Sequence, residues 1–398
     1  MTERLYYDDP FLLEFDARVT ARRELAGRQS VVLDRTAFYP ESGGQMADRG
    51  QLGDARVIDV QVDAAGVVHH LLEGEPPEPG KSVHGSIDRA RRRVHMALHT
   101  GQHMLSRALV DVAHAETVSS RLGETSCTID VDAREIGERT LVRIEDLVNS
   151  IIDDDVAVRA WFPEAEELSS LELRRTPKVK HHIRVVRIGE FDVTPCGGTH
   201  CTGSAQVGLL RITGVERYKG GTRLGFAAGR RARELLGGES EVLRELGRAF
   251  TCGPLEVPAA VDKLRRQLAE ARESLGLVRT RLAEQTAAEL LARAAESGER
   301  RFVVQLEGAP AELLRAVGSR LIALPDAVAL LAGGTSEGTP VLAVRGSDSD
   351  FDCGGFIKRA ATASGGRGGG RPARAEGRLP PGVEWSALVS GLLEQLDP

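Results

Sequence analysis

Long apolar runs are missing from this chain of 398 residues, in which no segment approaches the ~18 consecutive apolar residues that a membrane span needs. The opening MTERLYYDDPFLLEFDARV has no basic region followed by an apolar stretch, which argues against a secretory signal. Cysteine is scarce too. Cys127, Cys196, Cys201, Cys252 and Cys353 are scattered and odd in number, which argues against a disulfide framework and for a reducing compartment, so a cytoplasmic protein is expected. Aromatic residues make up only 4%. An excess of positive charge is also absent, since the net charge of −6 taken alone points away from nucleic acid.

What is present is a soluble globular composition, 41% hydrophobic and 28% charged, with 44 glycines. The length suits two to four domains. The negative average hides basic clusters: Arg89, Arg91, Arg92 and Arg93; then Arg174, Arg175, Lys178, Lys180, Arg184 and Arg187; then the Arg-Gly run near the C-terminus. Any one cluster is as readily solvated surface as a polyanion footprint, but several beside candidate functional motifs favour the footprint.

Residues 1–86 read as β, with short alternating or β-branched runs (EFDARVTARR, SVVLDRTAFY, ARVIDVQVD, GVVHHLL, KSVHGSID) that suit a small barrel or twisted sheet. Between two of them lies the polar, Gly-rich TAFYPESGGQMADRG, containing Gly43, Gly44 and Gln45. From Arg91 the pattern turns helical, with Val94, Leu98, Met104, Leu105, Leu109 and Val112 at helical intervals. Alternating strand and helix signals follow, among them one strand over HHIRVVRIGEFDVTP, so that 87–250 reads as an α+β domain. Val261, Leu264, Leu268, Ala271, Leu275, Val278 and Leu282 form a heptad seam within a helical connector, 251–300. Residues 301–398 read as α/β, with GGRGGGRPARAEGR expected as a structured loop that exposes backbone.

Two short motifs carry the chemistry. His99 and His103 stand four apart on the helix, where adjacent turns project both imidazoles from one face. Cys196 and His200, in CGGTH, add a thiolate and an imidazole from a glycine turn. Three imidazoles and a thiolate suit one tetrahedral zinc per chain better than a hard cation. His95 makes a second HxxxH with His99, but a drift of about 40° per four-residue step keeps all three from converging. Whether such a site is structural or catalytic stays open at this level, because four protein ligands close a site and catalysis needs an exchangeable position.

HTGQHMLS together with CGGTH resembles the HxxxH and CxxxH signature of the alanyl-tRNA synthetase editing domain and of its freestanding relatives, the alanyl-tRNA editing proteins called AlaX. FYPESGGQMADRG is similar to the Gly-rich motif of the barrel before that domain, and GGRGGGRP to the DHH-associated domain that closes the long AlaX class. The resemblance implies an α+β multidomain protein: β-barrel at 1–86, zinc-dependent editing core at 87–250, coiled-coil-like connector at 251–300 and C-terminal α/β Gly-rich domain at 301–398. Nothing before the barrel resembles an aminoacylation core, so a trans-acting editor is the expectation. The implied reaction is ATP-independent hydrolysis of the ester that joins serine, or glycine, to the terminal ribose of tRNA(Ala). Zinc would be held by His99, His103, Cys196 and His200, and would position the aminoacyl group, polarise its carbonyl or acidify a bound water.

By position in the family, Ser119 or Ser120 would lie near the substrate, and Gln102 is a further polar candidate; ordinary strand and helix polarity explains these three equally well. Arg91, Arg92, Arg93, Arg367, Arg371 and Arg374 are the tRNA-binding candidates, and the connector with the C-terminal domain is a candidate homodimer surface. Cys201, where relatives more often carry an apolar residue, is a spectator in a strand or a competing soft ligand. Two other readings stay in play. One is a zinc-stabilised tRNA-binding module without turnover; the other is editing of Ser-tRNA(Thr), whose synthetase domain shares the signature but lacks the barrel motif. A phosphodiesterase is disfavoured, since no DHH tripeptide occurs.

Overall fold

The first strand of the barrel shows why the N-terminal region folds as it does. Along Glu14–Leu25, Phe15, Ala17 and Val19 are buried while Glu14, Asp16 and Arg18 face solvent, the period-two pattern of a one-sided strand. In the computed structural model, which describes residues 2–177, 179–334 and 338–395, six such strands close a barrel. Their order is Glu14–Leu25, Arg28–Leu33, Val68–Glu73, Ala55–Val62, Gly50–Leu52 and Ser82–Ile87. Val19, Val31, Leu33, Phe38, Leu52, Val57 and Val60 fill it. Closure leaves the strands no unpaired edge.

The chain divides into two compact units, 1–246 and 247–398. In the first, the barrel leads straight into the helix Arg89–Ala113, whose cap Asp88 accepts from the Arg91 amide at 3.0 Å and which ends on His114 in a left-handed conformation. Fifteen of its 25 residues are buried, so it is a core helix rather than a surface one. It packs on the helix Glu138–Asp153 and on an antiparallel sheet ordered Leu210–Tyr218, Gly221–Ala228, Cys127–Val131, Thr117–Leu122. A second sheet joins Val158–Trp161, Val185–Ile188 and Asp192–Pro195. The single strand expected over 181–195 is therefore a hairpin. It reverses after Ile188, where Gly189 supplies a φ of +49°.

The second unit carries the helix Val257–Ser297 of 41 residues. Its Ala283, Ala287 and Ala294 are buried with the helix Ala311–Leu321 against one face of a five-stranded sheet. The order is Arg301–Glu307, Val328–Gly334, Thr339–Arg345, Arg374–Leu379, Arg367–Arg371. Only the first pair is parallel, bridged by the helix Ala311–Leu321. On the opposite face Trp385 lies under the sheet and donates its indole N–H to the Leu330 carbonyl at 2.9 Å. The heptad seam is exposed along the earlier part of the long helix, with Leu264, Leu268, Leu275, Val278 and Leu282 each roughly half accessible.

The Arg-Gly run corrects the sequence expectation. Arg367–Arg371 is not a loop but an edge strand paired with Arg374–Leu379. Without side chains, its glycines let the helix Cys353–Ser364 lie close against it. Among the described residues no helix is long and apolar enough to cross a membrane.

Candidate metal centre and adjoining cavity

His99, His103, Cys196 and His200 converge, with one ligand atom of each lying within 4.8 Å of all the others. The helix Arg89–Ala113 contributes His99 and His103 from successive turns, and their ring centroids lie 5.1 Å apart. The loop leaving the strand Asp192–Pro195 contributes Cys196 and His200. Cys196 Sγ lies 3.4 Å from His99 Nε2 and 3.3 Å from His200 Nε2. Metal–ligand bonds of zinc length at tetrahedral angles place neighbouring nitrogen and sulfur atoms about 3.5 Å apart, so the donor set fits that ion in chemistry, and the two separations from Cys196 match it in length. Of the two glycines in CGGTH, Gly198 is required by proximity: a Cβ there would collide with the His99 ring.

The far nitrogens of His99 and His200 are hydrogen-bonded, and that of His103 faces a carboxylate. His99 Nδ1–H donates to Gln45 Oε1 at 2.7 Å, and the same oxygen accepts from the Thr199 amide at 3.1 Å. Gln45 Nε2 donates in turn to Thr199 Oγ1 at 2.8 Å. These bonds fix the proton of His99 on Nδ1 and leave Nε2 as a free lone pair towards Cys196. His200 Nδ1 pairs with Thr100 Oγ1 at 3.3 Å. His103 Nδ1 faces the Asp192 carboxylate at 3.6 Å, an ion-pair separation too long for a hydrogen bond. Asp192 is anchored by Arg174 through contacts of 2.7 and 3.2 Å.

The electrostatics favour a bound cation. Burial works to raise the Cys196 thiol, yet His99, His103 and His200 around it bring it well below its ordinary value, so the thiolate is accessible. Burial works the other way on His103, but Cys196 and Asp192 raise it. His200 is held down to about 3, by burial first and by His99 second, and stays neutral as a ligand must.

Gln45 arrives from the barrel. Ser42 and Gln45 close a two-residue hairpin on Gly43 and Gly44, whose φ angles are +61° and +89°. Gly44 sits against the strand Thr117–Leu122: an added Cβ would lie 2.6 Å from the Ser120 carbonyl oxygen, and the Gly44 carbonyl accepts from the Leu122 amide at 2.8 Å. The Gly-rich motif is thus a clip that carries Gln45 into the cluster.

A cavity of about 590 Å³ opens beside the four residues, lined by His99, Cys196, Gly197, Tyr7, Tyr39 and Phe162. Arg184, buried on its wall, donates to the carbonyls of Cys196 at 3.2 Å and Gly198 at 2.8 Å. Burial raises the Tyr39 phenol well above its usual range, and its hydroxyl donates to the Ser42 carbonyl at 3.1 Å.

Other expected residues lie elsewhere. Gln102 is buried and donates to Ser106 Oγ at 2.7 Å; it does not line this cavity. Ser119 donates to Asp130 at 2.7 Å and borders a separate depression with Tyr218 and Arg223, while Ser120 touches Gly44. Arg92 must be struck from the RNA contacts, since it is fully buried against Asp48, with further bonds of 2.6 Å to the carbonyls of Pro10 and Ala37. Arg174 and Arg184 are also consumed inside the site, and Lys178 lies outside the described residues. Arg91 is clasped to Glu124 at 2.8 Å, and Arg93 is exposed over the Phe11 ring. Arg367 and Arg371 are exposed on the edge strand, and Arg374 pairs with Glu376 at 2.8 Å. Cys201 is in the apolar core outside any strand, its thiol raised to about 11 by burial, and takes no part in the cluster. Sequence reasoning missed Asp192, Thr100, Arg184 and Tyr39; the Asp four residues before Cys196 was the one local signal available.

Two family models match parts of the chain. Residues 5–91 match the family model for tRNA synthetases class II (A), and 183–224 match the threonyl and alanyl tRNA synthetase second additional domain. The alanine–tRNA ligase of Pyrococcus furiosus is 33% identical over 390 residues, covering 95% of this chain and 42% of the ligase. That of Thermococcus kodakarensis is 34% identical with the same coverage. The chain thus spans about 42% of the length of these curated relatives. The alanyl-tRNA editing protein AlaX-L of Pyrococcus horikoshii is 34% identical over 272 residues, 66% of each chain. Among solved structures, the C-Ala domain of Aquifex aeolicus alanyl-tRNA synthetase covers 25% of this chain and 91% of its own at 19% identity, with a TM-score of 0.23, too slight a likeness to build on. The two family matches and the identity along the chain place it in the family of AlaX-type alanyl-tRNA editing proteins, related to alanyl-tRNA synthetase.

Proposed function

We propose that the chain is a cytoplasmic aminoacyl-tRNA hydrolase that removes serine, or glycine, from mischarged tRNA(Ala) by zinc-dependent hydrolysis of the ester. The observation that carries this reading is the convergence of His99, His103, Cys196 and His200 beside a cavity large enough for an aminoacylated ribose. Bound by these four, zinc would supply Lewis-acid polarisation of the ester carbonyl or a water of lowered pKa. Gln45 holds the His99 ring in one tautomer and one orientation, and Asp192 places negative charge behind His103. Arg184 ties down the carbonyls of the CGGTH turn and so keeps Cys196 in register with the histidines. Preference for serine over alanine needs a hydrogen-bonding group facing the side-chain hydroxyl, because alanine then leaves it unpaired. Tyr39 and Ser42, both on the cavity wall, supply such groups.

Discharge of Ser-tRNA(Ala) by the purified chain, beside Ala-tRNA(Ala) and Ser-tRNA(Thr), tests the reading. Loss of serine from tRNA(Ala) with the other two spared supports it. Retained zinc and tRNA binding without discharge would replace it with a binding module. The seam of exposed leucines on the helix Val257–Ser297 supports a homodimer, which a solution mass of one chain at micromolar concentration would rule out.

A further inference from the structure

A second cavity, of about 600 Å³, lies where the barrel meets the start of the helix Arg89–Ala113 and the helix Arg230–Phe250. Five guanidinium groups border it, those of Arg49, Arg56, Arg91, Arg230 and Arg231. Three carboxylates answer them, and Asp88 among these is engaged in capping the helix. Glu124 is divided between Arg91 at 2.8 Å and Arg49 at 3.6 Å. Arg231 has no carboxylate partner among the described residues; its Nη1 donates to the Gly123 carbonyl at 2.7 Å. In a chain of net charge −6, this concentrates positive charge locally.

The lining also contains His95, 1% exposed, whose Nδ1 has no hydrogen-bond partner among the described residues. A buried ring nitrogen without a partner forgoes solvation that a ligand would restore. Burial, then Arg91 and Arg231, hold this imidazole down to about 4, so it is neutral and presents a single N–H. Among the described residues no Phe, Tyr or Trp lines the cavity, which leaves no platform on which a base could stack. Guanidinium forks with a neutral donor and no aromatic ring match a phosphate rather than a nucleobase or an apolar side chain.

We propose that this cavity grips a backbone phosphate of the RNA substrate through Arg49, Arg231 and His95. The proposal rests on the reading of the chain as a hydrolase of an RNA ester. His95 stands one helical turn before His99, about 6 Å along the axis. In the proposed arrangement, a strand whose end reaches the metal cluster passes the cavity. In this arrangement the contact positions the RNA and reads no sequence.

The test uses the full chain, an RNA hairpin with a single-stranded CCA tail, and fluorescence anisotropy over a range of salt. Arg49→Gln and Arg231→Gln should each weaken binding by about fivefold and lower the slope of log affinity against log salt by about one. Glu124→Gln, which releases Arg91 and Arg49 from their shared carboxylate, should tighten binding, a gain that misfolding cannot imitate. If all three variants bind the hairpin as wild type does, the phosphate site is wrong while the editing reading stands. If the wild-type chain binds no hairpin, the editing reading itself falls. Inorganic phosphate followed by 31P NMR forms the last arm. A shift or broadening of the phosphate resonance that Arg231→Gln abolishes, with hairpin affinity unmoved, would assign the cavity to free phosphate and overturn the RNA contact.

Discussion

Gln45 Oε1 receives the Nδ1–H of His99 at 2.7 Å and the amide of Thr199 at 3.1 Å, so one barrel side chain ties together the two halves of the metal cluster. Gln45→Leu removes the acceptor and leaves both donors buried and unpaired, while His99 becomes free to rotate or change tautomer. Zinc affinity should fall 10- to 100-fold, the range typical of lost outer-shell partners. Competition with a chromogenic chelator measures it. An unchanged affinity would show that the helix and turn alone organise the site.

Cys196 is the one anionic ligand in the set, and its thiolate is what the three imidazoles stabilise. Cys196→Ala should therefore lose metal and ester hydrolysis together. The wild-type chain stripped by chelator should lose its activity and regain it on addition of zinc. An active Cys196→Ala variant containing no metal would remove zinc from the mechanism.

How much of this was open to a reading of the sequence depends on the range of each signal. The helix over Arg89–Ala113 and the two HxxxH and CxxxH spacings are local, because 3.6-residue periodicity and ligand offsets are written within a few residues. Gln45 and Thr199 are 154 residues apart, and no local pattern links them; the Gly-rich stretch was visible as a motif but its target was not. Arg92 was misread for the opposite reason. A run of arginines looks solvated, yet one position of the run turns into the interface of helix and barrel, where Asp48 waits. The run at 367–371 looked like a loop because glycine is poor in strands, and pairing with Arg374–Leu379 overrode that preference.

The Arg92–Asp48 pair yields its own prediction. Both side chains are sealed from solvent, Arg92 Nη2 approaches Asp48 Oδ2 at 2.5 Å, and Asp48 also accepts from the Tyr39 amide at 2.6 Å. Arg92→Gln leaves an unpaired buried carboxylate and should destabilise the first unit by about 3–5 kcal/mol. Thermal unfolding should register a fall in Tm on the order of 10 °C. Below that temperature the salt slope of RNA binding should be the wild-type one. A reduced slope with normal Tm would restore Arg92 to the RNA contacts.

Acid should loosen the barrel through His70. Its Nδ1–H donates to the Val31 carbonyl at 3.1 Å, and its Nε2 accepts from Thr36 Oγ1 at 2.8 Å, which is the bonding of a neutral ring. Burial lowers it from the ordinary 6.5 to about 4. Above pH 6.5 the ring is neutral in both folded and unfolded chains, and the full stability is present. As pH falls from 6.5 towards 4 the unfolded chain takes up a proton that the folded one refuses, so stability drains away across that window and levels off below it. The total is on the order of 3 kcal/mol. Urea midpoints measured at steps of pH should follow this curve. His70→Gln, whose amide can make both hydrogen bonds without titrating, should remove His70's share and leave a shallower decline due to His95 and His200, which burial also holds down; a decline as steep as the wild type's would show that His70 contributes nothing to it.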